Sequence, residues 1–350
     1  MSEDNINYFG QIRLYTIPII RDKFGYFDRQ TQVSQRTRDD VFEGIKVVYE
    51  GTKILNSVSN IIDNKQTIIV DVNELILNVN SIIMESIQDE TLTVLDLTGD
   101  GIGDAGAQSL GEALQHNTVA LTLTTLDLSY NNIRYDGGQS LGDALQRNKA
   151  LTTLNLWHNE IEDIGAQSLG DALKHNTTLS TLDLGFNKIG DVGAECLGDV
   201  LQHNKTLDTL KLGFNQIGNL GAQSIGDALH HNTTLTTLNL GEDQIEDVGA
   251  QSLGNALQHN TTLDTLKLGF NQIGDVGAHS LGDSLIHNTT LTTLYLSRNQ
   301  IGDVGAQSLC DALNHNSTLT ELDLRSNSFG HDTGYLIEEL LERSKNGIKP

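Results

Sequence analysis

Serine, histidine and aspartate are the side chains of hydrolytic chemistry, and this chain carries many of each. They do not meet in one constellation. Seven histidines, His116, His175, His203, His231, His259, His287 and His315, fall at one recurring position. Serines and aspartates run in similar lanes. A Ser–His–Asp catalyst needs one arrangement unlike its surroundings, so lanes point away from an enzyme. The histidine lane is an equally poor metal array, because neighbours on adjacent helices would stand about 8–10 Å apart. Ligands that share an ion bond it at ~2 Å. A favourable contact with helix C-termini accounts for these histidines better. No Gly-x-x-x-x-Gly-Lys-Ser/Thr phosphate loop is present, and no cofactor is implied. Six Asn-x-Thr triplets, at Asn176, Asn204, Asn232, Asn260, Asn288 and Asn316, read as one structural position copied six times, not as glycosylation sites.

What sets these lanes is a block of about 28 residues, with copies opening at Leu92, Leu123, Leu151, Leu179, Leu207, Leu235, Leu263, Leu291 and Leu319. Extra residues between Asn117 and Leu123 lengthen the first copy. Self-similarity at this period predicts a solenoid, in which stacked units share one continuous core. The first half of each unit alternates with period two, as in Leu210-Lys211-Leu212, which predicts a short strand with leucines inward. In the second half Ala222, Ile225 and Leu229 fall on one helical stripe. An acidic residue at the start of most helices (Asp104, Asp163, Asp191, Asp247, Asp275, Asp303) is expected to cap N–H groups there. The recurrent His-Asn pair, such as His259-Asn260, is expected to end the helix with Asn in the left-handed conformation. Strands stack at about 4.8 Å and helices at about 8–10 Å. The stack must therefore bend, with parallel strands on the concave side and helices on the convex side.

The pattern Leu-x-x-Leu-x-Leu-x-x-Asn recurs at Leu151–Asn159, Leu179–Asn187, Leu207–Asn215, Leu263–Asn271, Leu291–Asn299 and Leu319–Asn327, with Leu123–Asn131 matching too. It resembles the leucine-rich repeat family. The helical unit with Ile-Gly-Asp-x-Gly-Ala resembles the ribonuclease-inhibitor-like subtype and is similar to the repeats of NOD-like receptors. The resemblance implies an α/β horseshoe over residues 91–350, nine repeats long, and a motif Asn that bonds to neighbouring turns in a ladder. Two positions depart from it, Asp100 and Asp243. Asp100 opens the array; Asp243 lies in its middle and marks either a local defect or a tuned site. Lacking a nucleotide-binding loop, the chain is not a complete NOD-like receptor.

Repeats of this kind present a long surface to a protein or peptide, and the exposed columns name its residues. Between the inward leucines lie Asp127, Asn155, Asp183, Lys211, Asn239, Lys267, Tyr295 and Asp323. Before the motif Asn lie Tyr130, His158, Phe186, Phe214, Glu242, Phe270, Arg298 and Ser326, with Trp157 beside them. The expected partner-binding set is Trp157, His158, Asp183, Phe186, Lys211, Phe214, Glu242, Lys267, Phe270, Tyr295 and Arg298. Aromatic residues in line are typical interface anchors. The alternative for the three phenylalanines is that they turn inward and pack under the loop. Trp157 and Tyr295, alternating with inward leucines, are expected to be exposed.

Bulk composition narrows the partner. The 350 residues include 46 acidic and 22 basic ones, for a net charge of −24. Such a surface disfavours nucleic acid, whose binding draws on Lys and Arg, and favours a basic protein over an anionic membrane. Cys196 and Cys310 lie four repeats apart, too far for a disulfide, and fit a reducing cytosol. The N-terminus has no secretory signal pattern, and no apolar run is long enough to span a membrane. Residues 1–90 show no repeat. Apolar spacing over residues 38–62 and 67–88 predicts helices, either a cap on the first repeat or a small interaction domain. The acidic terminal segment Glu338-Glu339-Leu340-Leu341-Glu342 suits the polar outer face of a last repeat. It also resembles the secretion signals of bacterial effectors, which would place the same binding role in a host cytosol.

Overall fold

The computed structural model describes residues 93–116 and 122–346. The helices expected in residues 1–90 lie outside these residues. The chain divides between Glu85 and Ser86, and every described residue belongs to the second unit.

Nine three-residue strands, β1 (Val94–Asp96) through β9 (Glu321–Asp323), form one parallel sheet in sequential order, and a helix follows each, from α1 (Gly103–His116) to α9 (His331–Lys345). This is a leucine-rich-repeat solenoid. Thr125 stands opposite Thr153, and Thr153 opposite Thr181, so each repeat lies in register with the next. Between β1 and β2 the pairing is Val94 with Thr125, which absorbs the longer first repeat without breaking the ladder. Leu182, Leu184, Ile189, Ala194, Leu197 and Leu201 form one layer of the core, all at or near zero exposure. Burying each such leucine contributes about 1.5–3 kcal/mol, and each layer covers the next. Among the described residues no helix is long and apolar enough to cross a membrane. Cys196 and Cys310 are free thiols. Burial pushes the Cys310 thiol up to about 11.

Polar ladders run between repeats and satisfy the buried turns. The amide of the motif Asn187 donates to the Leu156 and Leu184 carbonyls at 2.9 and 3.1 Å, and its oxygen accepts from Ile161 N–H in the preceding repeat. The helix-end asparagines do not take the expected left-handed conformation. Asn148 and Asn288 are extended, at φ −66° and −73°. Asparagine acts there through its side chain instead. In the same column, the Asn204 oxygen accepts from Thr206 and Leu207 N–H, and its amide donates to the Leu173 carbonyl one repeat back. The amide nitrogens of the six Asn-x-Thr triplets are thus buried donors.

The acidic residue at each helix start was expected to cap its own helix, and it caps the next one. Asp191 Oδ1 accepts from Gly218 N–H at 2.8 Å and Gly221 N–H at 2.7 Å, both in the following repeat. Asp163, Asp247 and Asp275 repeat the geometry. The reason is positional: the helix layer brings each first turn against the next N-terminus. Repeat two carries Tyr135 in this slot, so the Glu162–Leu173 helix receives no carboxylate. Its first residue, Glu162, swings to φ 56° and gives its N–H to the Asn187 carbonyl. Helix spacing depends on glycine as well: a Cβ on Gly198 would meet the Ser224 carbonyl oxygen at 2.8 Å.

Asp243 replaces the motif Asn in repeat six. Its Oδ1 accepts from Asn215 and Ile217 N–H, both at 3.1 Å, as an asparagine oxygen would. Its Oδ2 is buried without a hydrogen-bond partner, at the point where an asparagine amide would donate. Burial pushes this carboxyl up to about 8, against the two stabilising N–H groups. The folded-state pKa lies above the unfolded one. The stabilising contribution is therefore fully present below about pH 4 and is lost as pH rises through about 8. Asp243→Asn is expected to be the more stable protein at neutral pH. Its advantage should grow by roughly 1.4 kcal/mol per pH unit from weakly acidic pH to about 8 and then level off. Denaturant titrations across that range check this, and a pH-independent difference would contradict it. Asp191→Ala is expected to cost about 1–2 kcal/mol through the lost cap. Hydrogen exchange should report the loss at Gly218 and Gly221 in the next repeat.

Candidate functional site

The turn that leaves each strand is built by the residue between the inward leucines. Asp127, Asn155, Asp183, Asn239 and Asp323 each accept, on Oδ1, the N–H two residues on, an Asx turn. Asp183 is therefore occupied twice, by Gly185 N–H and by the Lys211 ammonium at 3.1 Å from its Oδ2. Lys211, Lys267 and Tyr295 replace the Asx residue and are released from this duty. Lys267 lies over the Tyr295 ring, 5.1 Å from its centre. The Tyr295 hydroxyl donates to Glu321, and that carboxylate raises the phenol's pKa. Tyr295 is half-buried by these neighbours, not freely exposed as its alternation with leucines suggested.

With or without an Asx residue before it, the next column takes an unusual backbone. Tyr130, His158, Phe186, Phe214, Glu242, Phe270, Arg298 and Ser326 all have φ between 54° and 63°. For residues with a Cβ this left-handed conformation costs about 1–2 kcal/mol, and glycine would take it freely. The first repeat does carry glycine there, Gly99 at φ 70°. The phenylalanines do not turn inward. With φ positive and the leucine layers closed beneath, their side chains project outward: Phe186 is 44% exposed and Phe214 and Phe270 are each 42% exposed.

These side chains meet in a line along the C-terminal edge of the sheet. Tyr130 and His158 stack at 4.4 Å, and His158 and Phe186 at 4.3 Å with only 4° between their planes. Phe214 follows at 6.0 Å from Phe186. Trp157 braces the line from the strand side. Its ring meets Tyr130 edge-on at 4.8 Å and lies where a Cβ on Gly185 would sit, 2.6 Å from Trp157 Cδ1. That seat makes Trp157 half-buried, contrary to its expected exposure. Glu242 interrupts the line. Beyond it Arg298 covers the Phe270 ring at 4.7 Å. The expected residues thus fall into a stacked run (Trp157, His158, Phe186, Phe214), a cation–aromatic pair (Phe270, Arg298) and strand-face contacts (Asp183 with Lys211, Lys267 with Tyr295). Tyr130, left out of the expected set, begins the stack; its place in the same column was the available signal. The arrangement offers flat apolar surface beside fixed charges, which suits binding. Among the described residues no group of three or more His, Cys, Asp or Glu side chains could hold a metal ion.

A family described as Leucine Rich repeat matches residues 88–111, 119–142, 147–170, 175–198, 203–226, 231–254, 259–282, 287–310 and 315–332. No curated protein sequence matches the chain. Among solved structures, leiomodin-1 actin-binding site 2 is 24% identical over 39% of this chain and 81% of its own, with a TM-score of 0.36. The tropomodulin C-terminal domain of Caenorhabditis elegans is 16% identical over 44% of this chain and 95% of its own, with a TM-score of 0.38. An internalin of Listeria monocytogenes is 22% identical over 77% of this chain and 86% of its own, with a TM-score of 0.42.

Phe214→Gly is expected to leave stability within about 1 kcal/mol of wild type, because relief of the left-handed backbone offsets the lost ring contact. Gly185→Ala, a smaller change, is expected to displace Trp157 and shift its fluorescence. A large loss of stability in Phe214→Gly would show that the column serves the fold.

Proposed function

The chain belongs to the leucine-rich repeat family, and we propose that it works without catalysis, as a module that binds a protein or peptide. The proposed surface is the strand face and its C-terminal edge, from Trp157 to Arg298. One observation carries this reading. Eight successive turns hold a left-handed residue, yet four of these positions, which glycine would fill without strain, carry the exposed rings of Tyr130, Phe186, Phe214 and Phe270, which the core does not use. Strain retained at such a column is a signature of function.

The acidic balance favours a basic partner and disfavours nucleic acid. The residues that leave the Asx column, Lys211, Lys267 and Tyr295, set local specificity along the face. Full helices of 11 residues or more follow every strand, which supports the ribonuclease-inhibitor-like subtype. Free thiols suit a cytosolic setting.

Affinity capture from cytosolic extract, with wild type against Trp157→Ala/Tyr295→Ala and against Phe186→Ala/Phe214→Ala, tests the reading. Proteins held by wild type should be depleted at least tenfold with both variants at unchanged folded content. The same proteins captured equally by all three would exclude this surface.

A further inference from the structure

The helix layer carries a second exposed column on the side away from the strands. Ile164, Val192, Leu220, Val248, Val276 and Val304 occupy the same place in the first turn of six successive helices, and they are 53–69% exposed. The fold does not require them. The same place holds Asp136 in repeat two and Asp332 in repeat nine. Acidic residues are the favoured choice near a helix N-terminus, and β-branched ones are poorer helix formers. Six consecutive aliphatic residues thus run against solvation, and the five β-branched ones against local preference as well. Adjacent helices lie about 8–10 Å apart, so the row extends roughly 40–50 Å.

Seven residues further along each helix, on the same face and about 10.5 Å away at 1.5 Å per residue, lies a parallel row. It reads Asp171, Asp199, Asp227, Asn255, Asp283 and Asp311, all exposed. The six helices Glu162–Leu173, Asp191–Leu201, Asn219–Leu229, Asp247–Leu257, Asp275–His287 and Asp303–Leu313 contain neither a lysine nor an arginine. One ammonium reaches the row, that of Lys174 at 2.7 Å from Asp171. His279 lies 3.5 Å from Asp283 and Gln307 donates to Asp311, so the row stays net acidic, with Lys174 its one lysine or arginine neighbour. An apolar ridge beside such a line of carboxylates selects its occupant by charge.

We propose that the helix face of repeats three to eight docks a cationic amphipathic helix of a protein partner, lying across the six helices. Its apolar residues seat along Ile164–Val304 and its lysines or arginines face the Asp171–Asp311 row. A helix rises about 10.5 Å in seven residues, so an apolar side chain at every seventh position falls near the ridge's spacing of about 8–10 Å over a few successive repeats. A second copy of this chain would set one carboxylate row against another. An anionic membrane would meet the same repulsion. The surface is separate from the strand edge, and neither proposal rests on the other.

The test uses the full chain and a synthetic 28-residue helical peptide with leucine at every seventh position and flanking lysines. A twin peptide carries glutamate for lysine, and neutral phosphatidylcholine vesicles serve as a third probe. The lysine peptide should bind wild type, read by fluorescence anisotropy, and should weaken with added salt. Its affinity should fall at least tenfold in Val192→Ser/Leu220→Ser/Val248→Ser/Val276→Ser, and again in Asp171→Asn/Asp199→Asn/Asp227→Asn. These exposed substitutions should leave the melting midpoint unchanged, and Phe186→Ala/Phe214→Ala should leave peptide binding unchanged. Equal affinity for the serine variant, equal binding of the glutamate twin, preferential binding of the vesicles, or self-association abolished by the serine variant would each overturn the proposal.

Discussion

A repeat of this size cannot complete its own turns. Three strand residues and one helix leave buried N–H and carbonyl groups on both flanks, and a buried group left unmet costs about 1–3 kcal/mol. The neighbouring repeat supplies the missing partners. The motif asparagines, the helix-end asparagines and the aspartates at helix starts are three versions of one solution, each reaching one repeat forward or back. The period is held constant because every ladder spans one repeat. Extra residues are accommodated only between the ladder positions: across the longer first repeat Asn131 still donates to the Leu97 carbonyl, Asp104 still accepts from Arg134 and Gly137 N–H, and Asn148 still donates to the Leu114 carbonyl. The one described offset, between β1 and β2, falls next to the end of the array.

That constraint divides the surface. Positions that serve the ladders are nearly invariant along the chain, and positions outside them are free to differ. Asp243 shows the cost of departing inside a ladder: it keeps the acceptor role of asparagine, loses the donor and is left with an orphaned oxygen. Tyr135 shows the same at a helix start, where the following helix begins in a left-handed residue. Departures outside the ladders leave no buried hydrogen-bonding group unmet. The aromatic line on the strand edge and the aliphatic ridge on the helix face both belong to this class. They lie on different faces of the same repeats.

Much of this was legible in the sequence. Period-two leucines gave the strands, the helical stripe gave the buried face, and Leu-x-x-Leu-x-Leu-x-x-Asn gave the stacking. Four features were not settled by it, for physical reasons. The aspartate at the helix start looks like a local cap in one dimension, and only stacking shows that it caps the next helix. The helix-end asparagine looked suited to a left-handed turn, yet its side chain closes the helix while the backbone stays extended. For the phenylalanines the sequence left both directions open, and a positive φ, present at Phe214 and Phe270 with no Asx residue before them, turns them outward. Hydrophobicity alone would have buried them. The aliphatic ridge was visible as a column, but one turn of a helix in isolation does not say which side faces water.

The central claim is that each turn is completed by its neighbour, and Asn187→Ala with native-state hydrogen exchange tests it most directly. The substitution removes the oxygen that accepts from Ile161 N–H and the amide that donates to the Leu156 carbonyl. Protection should fall at Ile161, one repeat away, together with the turn around residue 187, while repeats seven to nine stay protected. A loss confined to the repeat that carries the substitution would contradict the account.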